Sequence, residues 1–270
     1  MASHEQLTPR SGRVKSARRL ATRRFRTDAR EFIAEGPQAV REALRLPGVV
    51  LEVFATQDAT DQHPEIAATA RSSSIGWQVV GDDVVAVLSD TVQPQGVVAR
   101  CRFVDRSLDE VLATRPRLLV VCADIRDPGN AGTVIRCADA AGAEGVVFTG
   151  NSVDPFNPKS VRASVGSVFH VDLVIDPDIV GVVERLKHCG LGVLAADGTA
   201  DVELPEADRS GLLARPTAWL MGNEAWGLPE SVRALADHVV AVPIYGRAES
   251  LNLATAAAVC LYASAQAQRR

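Results

Sequence analysis

LLVVCADIRDPGNAGTVIR, residues 118–136, decides the reading of the fold. Residues 118–123 are a continuous apolar run, too short for a helix and suited to a strand buried on both faces. A polar loop follows, in which Gly129 eases a turn and Asn130 can cap a helix. Beyond it Ala131, Val134, Ile135, Ala138 and Ala141 share one stripe at helical spacing, with Gly132, Arg136 and Ala140 opposite. The order strand, loop, helix is that of a βα unit. The alternation continues downstream, with strands expected at 145–149, 168–175, 191–196, 217–221 and 238–244 and helices between most of them. An Ala-rich helix over 251–268 ends the series. Short aliphatic strands alternating with helices predict an α/β fold whose mostly parallel sheet is covered on both faces.

Upstream of this region, residues 31–105 form a smaller α/β unit in our reading. Helices are expected at 31–45, 64–72 and 82–88, and strands at 49–55, 77–80 and 96–104. The charged stretch 106–117, which contains Pro116, is expected to be a linker, so the larger domain spans 118–270. Residues 1–30 lack a sustained apolar period and are expected to be a flexible arm.

That arm is strongly basic. Nine Arg and Lys side chains face only Glu5 and Asp28, giving +7 in a chain whose net charge is −4. A basic arm on an acidic body suits a polyanionic partner, and Arg18, Arg19, Arg23, Arg24 and Arg26 are its candidate nucleic-acid contacts. Phe25 is the arm's one aromatic, so phosphate contact should outweigh base stacking there.

Other classes are disfavoured. No run approaches the roughly 20 apolar residues a membrane span needs, and no secretory h-region is seen, so a cytoplasmic protein without membrane contact is expected. The five cysteines are dispersed and lack a C-x-x-C, which argues against a disulfide framework or a zinc site. The histidines at 4, 63, 170, 188 and 238 are scattered, and no metal is expected.

In open α/β sheets ligands collect beyond the carboxyl ends of the strands. Three such loops stand out. The first is 124–136, which is neither a G-x-G-x-x-G nor a Walker loop. The second is L220-M-G-N-E-A-W-G-L-P-E230, where Gly222 permits close approach of the backbone to a ligand and Glu224 needs a partner, Arg136 being the candidate. The third is V242-P-I-Y-G-R-A-E-S-L-N-L253, in which Ser250 or Asn252 can cap the last helix.

In this order, N-x-G-x-x-x-R, G-x-E-x-x-G and V-P…S-L-N resemble the SpoU/TrmH-type RNA ribose methyltransferases of the SPOUT class. The stretch N157-P-K-S-V-R-A-S-V-G166 is similar to that family's segment after the first βα unit, and the likeness covers about 118–268. Residues 31–105 resemble, more weakly, the L30e-like substrate-binding domain of rRNA-directed members.

The resemblance implies a deep trefoil knot, which periodicity does not show and which general rules of chain topology disfavour. It implies S-adenosylmethionine as methyl donor, held by the knotted loops at positions matching Ala196, Gly222, Val242 and Leu251. It places the catalytic arginine on Arg136, with Asn130, Glu224, Ser250 and Asn252 around it. Asn130 and Glu224 would fix the guanidinium, and Ser250 and Asn252 would orient the ribose or the donor. A homodimer through the C-terminal domain is implied as well. The function so indicated is 2′-O-methylation of RNA, with 23S rRNA favoured over tRNA because of the extra N-terminal domain. A non-catalytic RNA-binding or ribosome-assembly factor is the alternative outside enzymes. A Rossmann oxidoreductase lacks its glycine fingerprint here.

Overall fold

A computed structural model describes residues 7–89, 91–200 and 202–270. It divides into two compact units. One comprises the described residues through Val104 together with Phe156–Phe169, and the other Asp105–Pro155 and His170–Arg270.

The first unit begins with α1 (Gly12–Arg19) and α2 (Arg23–Ala29), so the described part of the basic segment is helical and not an extended arm. The reason is a short stripe: Val14, Ala17 and Leu20 recur every three residues and are buried in a cluster with Ile33, Phe54, Val84 and Val98. Only one face is apolar, and the other carries the arginines. Strand β1 (Glu31–Glu35) follows, then α3 (Pro37–Leu44). A single helix over 31–45 is therefore replaced by a strand and a helix. Gly36, at φ +94°, and Pro37 in the first turn of α3 divide them, as glycine–proline pairs do. The unit continues through β2 (Val50–Ala55), α4 (Gln57–Gln62), α5 (Pro64–Ser72), β3 (Gly76–Val79), α6 (Asp82–Leu88) and β4 (Val97–Arg102). The sheet order is β1-β4-β2-β3, with β4 antiparallel to both β1 and β2 and with β2 and β3 parallel. Glu52 is buried on β2 and is matched by Arg13 and Arg100, whose guanidinium also holds Glu31 at 2.6 Å.

The second unit starts at α7 (Leu108–Ala113), inside the stretch expected to be a linker. Ser107 and Glu110 form a reciprocal cap at its start, and Leu108, Val111 and Leu112 enter the unit's core. Then come β5 (Leu118–Ala123), α8 (Pro128–Ala141) and β6 (Gly145–Thr149). The chain next contributes α9 (Pro158–Ser164) to the first unit, where Phe156 stacks on Phe103 at 4.1 Å and Arg162 pairs with Glu35. It returns through β7 (Asp172–Ile175), α10 (Ile179–His188), β8 (Gly192–Ala196), β9 (Val202–Glu203), α11 (Leu204–Arg209), β10 (Thr217–Met221), α12 (Glu230–Arg233), β11 (His238–Ala241) and α13 (Leu253–Ala267).

These strands make a seven-stranded sheet in the order β7-β6-β5-β10-β8-β11-β9, and every neighbouring pair is parallel. β5 and β10 are buried along their whole length, as strands covered on both faces must be. The stripe Ala131, Val134, Ile135, Ala138 and Ala141 is buried as its spacing predicts. All carboxyl ends therefore lie along one edge, and β10, β8 and β11 are consecutive there. No helix among the described residues is long and apolar enough to cross a membrane.

Candidate active site

The loop after β5 is shaped by Asp124, which adopts φ +55°, a conformation a short polar side chain tolerates. The Asp124 carboxylate accepts the Asn151 amide at 2.9 Å. Helix α8 then begins at Pro128, capped by Asp127, whose Oδ1 accepts the Asn130 amide at 2.8 Å. Asn130 is thus inside the first turn and not the cap. An Asp directly before a Pro at the first helical position is a start signal that marks this boundary in the sequence.

Displaced from capping, the Asn130 side chain is free to bridge. Its Nδ2 donates to Glu224 Oε1 at 3.1 Å, and its Oδ1 accepts from Asn252 Nδ2 at 3.1 Å. Asn252 caps α13 by accepting the Ala254 amide at 2.9 Å and the Thr255 amide at 3.4 Å. One hydrogen-bonded line thus joins the loops after β5, β10 and β11. The three segments meet at the same edge of the sheet, as expected, although the first lies 94 residues before Glu224 and 122 before Asn252.

Glu224 does not pair with Arg136. Its two oxygens take the backbone amides of Arg126 and Asp127, both at 3.3 Å, besides Asn130. These N–H groups lie at the positive end of α8, which attracts a carboxylate. Asn130 and Glu224 therefore fix the loop and not the guanidinium. Arg136 lies on the solvent side of α8, and among the described residues it makes no hydrogen bond or ion pair. Its position relative to the line follows from helix geometry. Asn130 and Cys137, seven residues apart, share a face of α8, and both meet the start of α13: Asn130 through Asn252, and Cys137 through a 4.0 Å contact of its sulfur with the Ala254 carbonyl. Arg136 flanks that seam. Burial raises the Cys137 thiol above its ordinary pKa, and the Arg136 charge opposes that rise. Ser250 is exposed and makes no side-chain hydrogen bond among the described residues.

Asn223 is a residue the sequence reading overlooked. It is buried, its Nδ2 donates to the Asp124 carbonyl at 2.6 Å, and its Oδ1 accepts the Ala225 amide at 2.8 Å. Asn223 and Gly227 also exchange both backbone hydrogen bonds at 2.9 Å, closing the loop on itself. This explains Gly222 differently from the expectation. A Cβ there would lie 2.5 Å from the Gly227 carbonyl carbon, so the glycine is demanded by the loop's own backbone.

Three of the four positions expected to hold the methyl donor sit at the carboxyl ends of adjacent strands. Ala196 ends β8, and Gly222 and Val242 directly follow β10 and β11, the three adjacent strands, while Leu251 directly precedes the Asn252 cap. Ala196, Val242 and Leu251 are half-buried, and Gly222 is buried. From Ile244 to Leu251 the backbone makes no hydrogen bond to other backbone groups among the described residues. Half-buried carbon surface beside unpaired main-chain donors and acceptors fits a ligand gripped by backbone rather than by charged side chains. No group of three metal-ligating side chains occurs among the described residues.

On the basic face, Arg18, Arg19, Arg23 and Arg24 are exposed, but Arg26 is only 1% exposed and donates to the Leu20 and Ala21 carbonyls at 2.8 and 2.9 Å. It ties α1 to α2 and is removed from the set of RNA contacts.

Comparison with known proteins agrees with this geometry. Residues 117–262 match the model of the SpoU rRNA Methylase family, and residues 12–99 match the MRM3-like substrate binding domain. The chain is 34% identical over 253 residues to the 23S rRNA (guanosine(2553)-2′-O)-methyltransferase RlmP of Bacillus subtilis, covering 93% of this chain and 94% of that one. It is 32% identical over 251 residues to the 23S rRNA (uridine(2479)-2′-O)-methyltransferase of Streptomyces viridochromogenes, covering 90% and 85%. The AdoMet-bound rRNA methyltransferase of Sinorhizobium meliloti superposes with a TM-score of 0.83 at 30% identity, covering 96% of each chain. The chain belongs to the SpoU rRNA methylase family.

Proposed function

We propose that this protein transfers a methyl group from S-adenosylmethionine to a ribose 2′-hydroxyl of 23S rRNA. The observation that carries the reading is the line Glu224–Asn130–Asn252, which draws three strand-end loops together at the start of α8, the helix that carries Arg136. The relatives' printed substrates point to 23S rRNA, and the match of residues 12–99 to a substrate-binding domain favours that over tRNA.

Bound S-adenosylmethionine supplies an electrophilic methyl group on a sulfonium. Transfer forms an O–C bond as the S–C bond breaks, and the hydroxyl must lose its proton. A guanidinium stays protonated and is a poor base. Arg136 therefore acts by holding the hydroxyl and an adjoining phosphate in line, so that the phosphate can take the proton onward. Its freedom from internal partners leaves its fork of donors for that task. Asn130, Glu224 and Asn252 are positioning residues that keep the loop after β5 against α13, and Ser250 faces the ribose. Ala196, Gly222, Val242 and Leu251 cradle the donor.

We further assign a trefoil knot to the second unit. Membership of the family supports this, and the order β10-β8-β11, with the earliest of the three strands in the middle, is compatible with it. The protein acts in the cytoplasm as a homodimer. Val259 and Tyr262, exposed and three residues apart on α13, give the C-terminal unit an apolar face for it.

The test uses labelled S-adenosylmethionine with unmodified 23S rRNA, free and in large-subunit precursor particles. Arg136→Ala is expected to lower turnover at least a hundredfold while calorimetry shows donor binding unchanged. Arg136→Lys should recover only part, because an ammonium lacks the planar fork. Near-parental turnover by Arg136→Ala would overturn the assignment.

A further inference from the structure

Trp226 and Tyr245 are the most exposed aromatic side chains among the described residues, at 58% and 90%. The chain has three Trp and two Tyr, and what sets these two apart is the lack of a hydrogen-bond partner among the described residues. The other three are engaged. Trp219 is buried with its indole N–H on Ser264, Trp77 donates to Thr60, and Tyr262 donates to the Ala140 carbonyl. Trp226 and Tyr245 have no such partner among the described residues.

Their placement is specific. Trp226 lies two residues beyond Glu224, at the tip of the loop that Asn223, Gly222 and Gly227 lock, so the indole is presented by a fixed backbone. Tyr245 lies in the loop between β11 and the Asn252 cap. β10 and β11 flank β8, so the two loops leave the sheet two strand spacings apart, about 10 Å. Arg126 and Arg247, both exposed, stand on the first and third loops. Aromatic faces interleaved with arginines are what single-stranded RNA meets on its protein partners. A second copy of the chain fits these loops less well. Glu224 lies two residues from Trp226, Arg247 and Glu249 two and four from Tyr245, all three are exposed, and charged residues are depleted at the centres of protein interfaces.

We infer that Trp226 and Tyr245 form a stacking platform for unpaired rRNA bases at the methylated nucleotide, and so help determine which nucleotide is presented. The inference rests on the methyltransferase reading above. Stacking would hold the nucleotide out of its own helix and leave the ribose facing Arg136.

The test compares Trp226→Ala, Tyr245→Ala, Trp226→Phe and Tyr245→Phe with the parent on unmodified 23S rRNA. The alanine variants are expected to raise KM for rRNA on the order of tenfold each, while the phenylalanine variants stay near the parent. Donor affinity by calorimetry and the sedimentation of the protein should not change. rRNA should quench tryptophan fluorescence in the parent and much less in Trp226→Phe. KM within twofold of the parent in both alanine variants would overturn the inference. So would weakened donor binding, which would make the aromatics a surface for the donor, or dissociation of the protein, which would make them a subunit contact. An active parent with indifferent variants defeats this inference alone. A parent inactive on both free rRNA and precursor particles defeats the underlying reading instead.

Discussion

The side-chain oxygen of Asn252 accepts the Ala254 and Thr255 amides, so its nitrogen must point away, toward Asn130. Asn130 must then turn its oxygen to Asn252 and its nitrogen to Glu224. Each amide in the line has one orientation consistent with its neighbours. This separates the structural duty of Asn252 from its positioning duty. Asn252→Asp keeps a good helix cap but offers no donor to Asn130. The melting temperature of this variant should stay close to the parent's, while kcat falls roughly five- to tenfold, the worth of about one hydrogen bond. Parental kcat would show that the Asn130 link has no bearing on the reaction. Residue identities here were legible from the motifs, but their partners were not. Arg136 and Glu224 are opposite charges that motif reading pairs, yet the carboxylate settles on the amides at the start of α8 because those donors are fixed and adjacent.

Among the elements, those with an unbroken apolar pattern were legible, and β5, β6, β10 and α8 lie close to where their residues place them. Where the reading differs, a local signal competes with the pattern. Residues 31–45 look helical until Gly36 and Pro37 are taken as a boundary. Residues 106–117 look like a linker because charge hides the three buried apolar residues of α7. The loop after β10 is the element on which the proposed donor cradle depends, and Gly222→Ala tests it. The added methyl meets backbone that cannot rotate aside. The cost should be roughly 1–3 kcal/mol, a fall in melting temperature of about 2–10 °C, together with weaker S-adenosylmethionine binding by calorimetry. A variant as stable and as tight-binding as the parent would mean the loop opens without cost.

At the scale of the whole molecule, charge asymmetry was legible and its folding was not. The basic segment reads as an arm because its apolar stripe, Val14, Ala17 and Leu20, is only one residue wide per turn. Deleting it would strip part of the first unit's core, so charge substitution is the cleaner probe. Replacing Arg18, Arg19, Arg23 and Arg24 by Gln should weaken rRNA binding and reduce the slope of log affinity against log salt by up to about 3. An unchanged slope would place the phosphates elsewhere. The chain segment 156–169 contributes to the first unit although it lies between β6 and β7 of the second, and no local pattern announces that exchange. What the family motifs convey without the structure is the reaction. What the structure adds is the arrangement that leaves Arg136 available. The most direct test of that claim is a map of ribose 2′-O-methylation across 23S rRNA from cells lacking the gene, complemented with the parent or with Arg136→Ala. One modified position should vanish on deletion, return with the parent and stay absent with the variant. Its return with Arg136→Ala, or identical maps with and without the gene, would contradict the account.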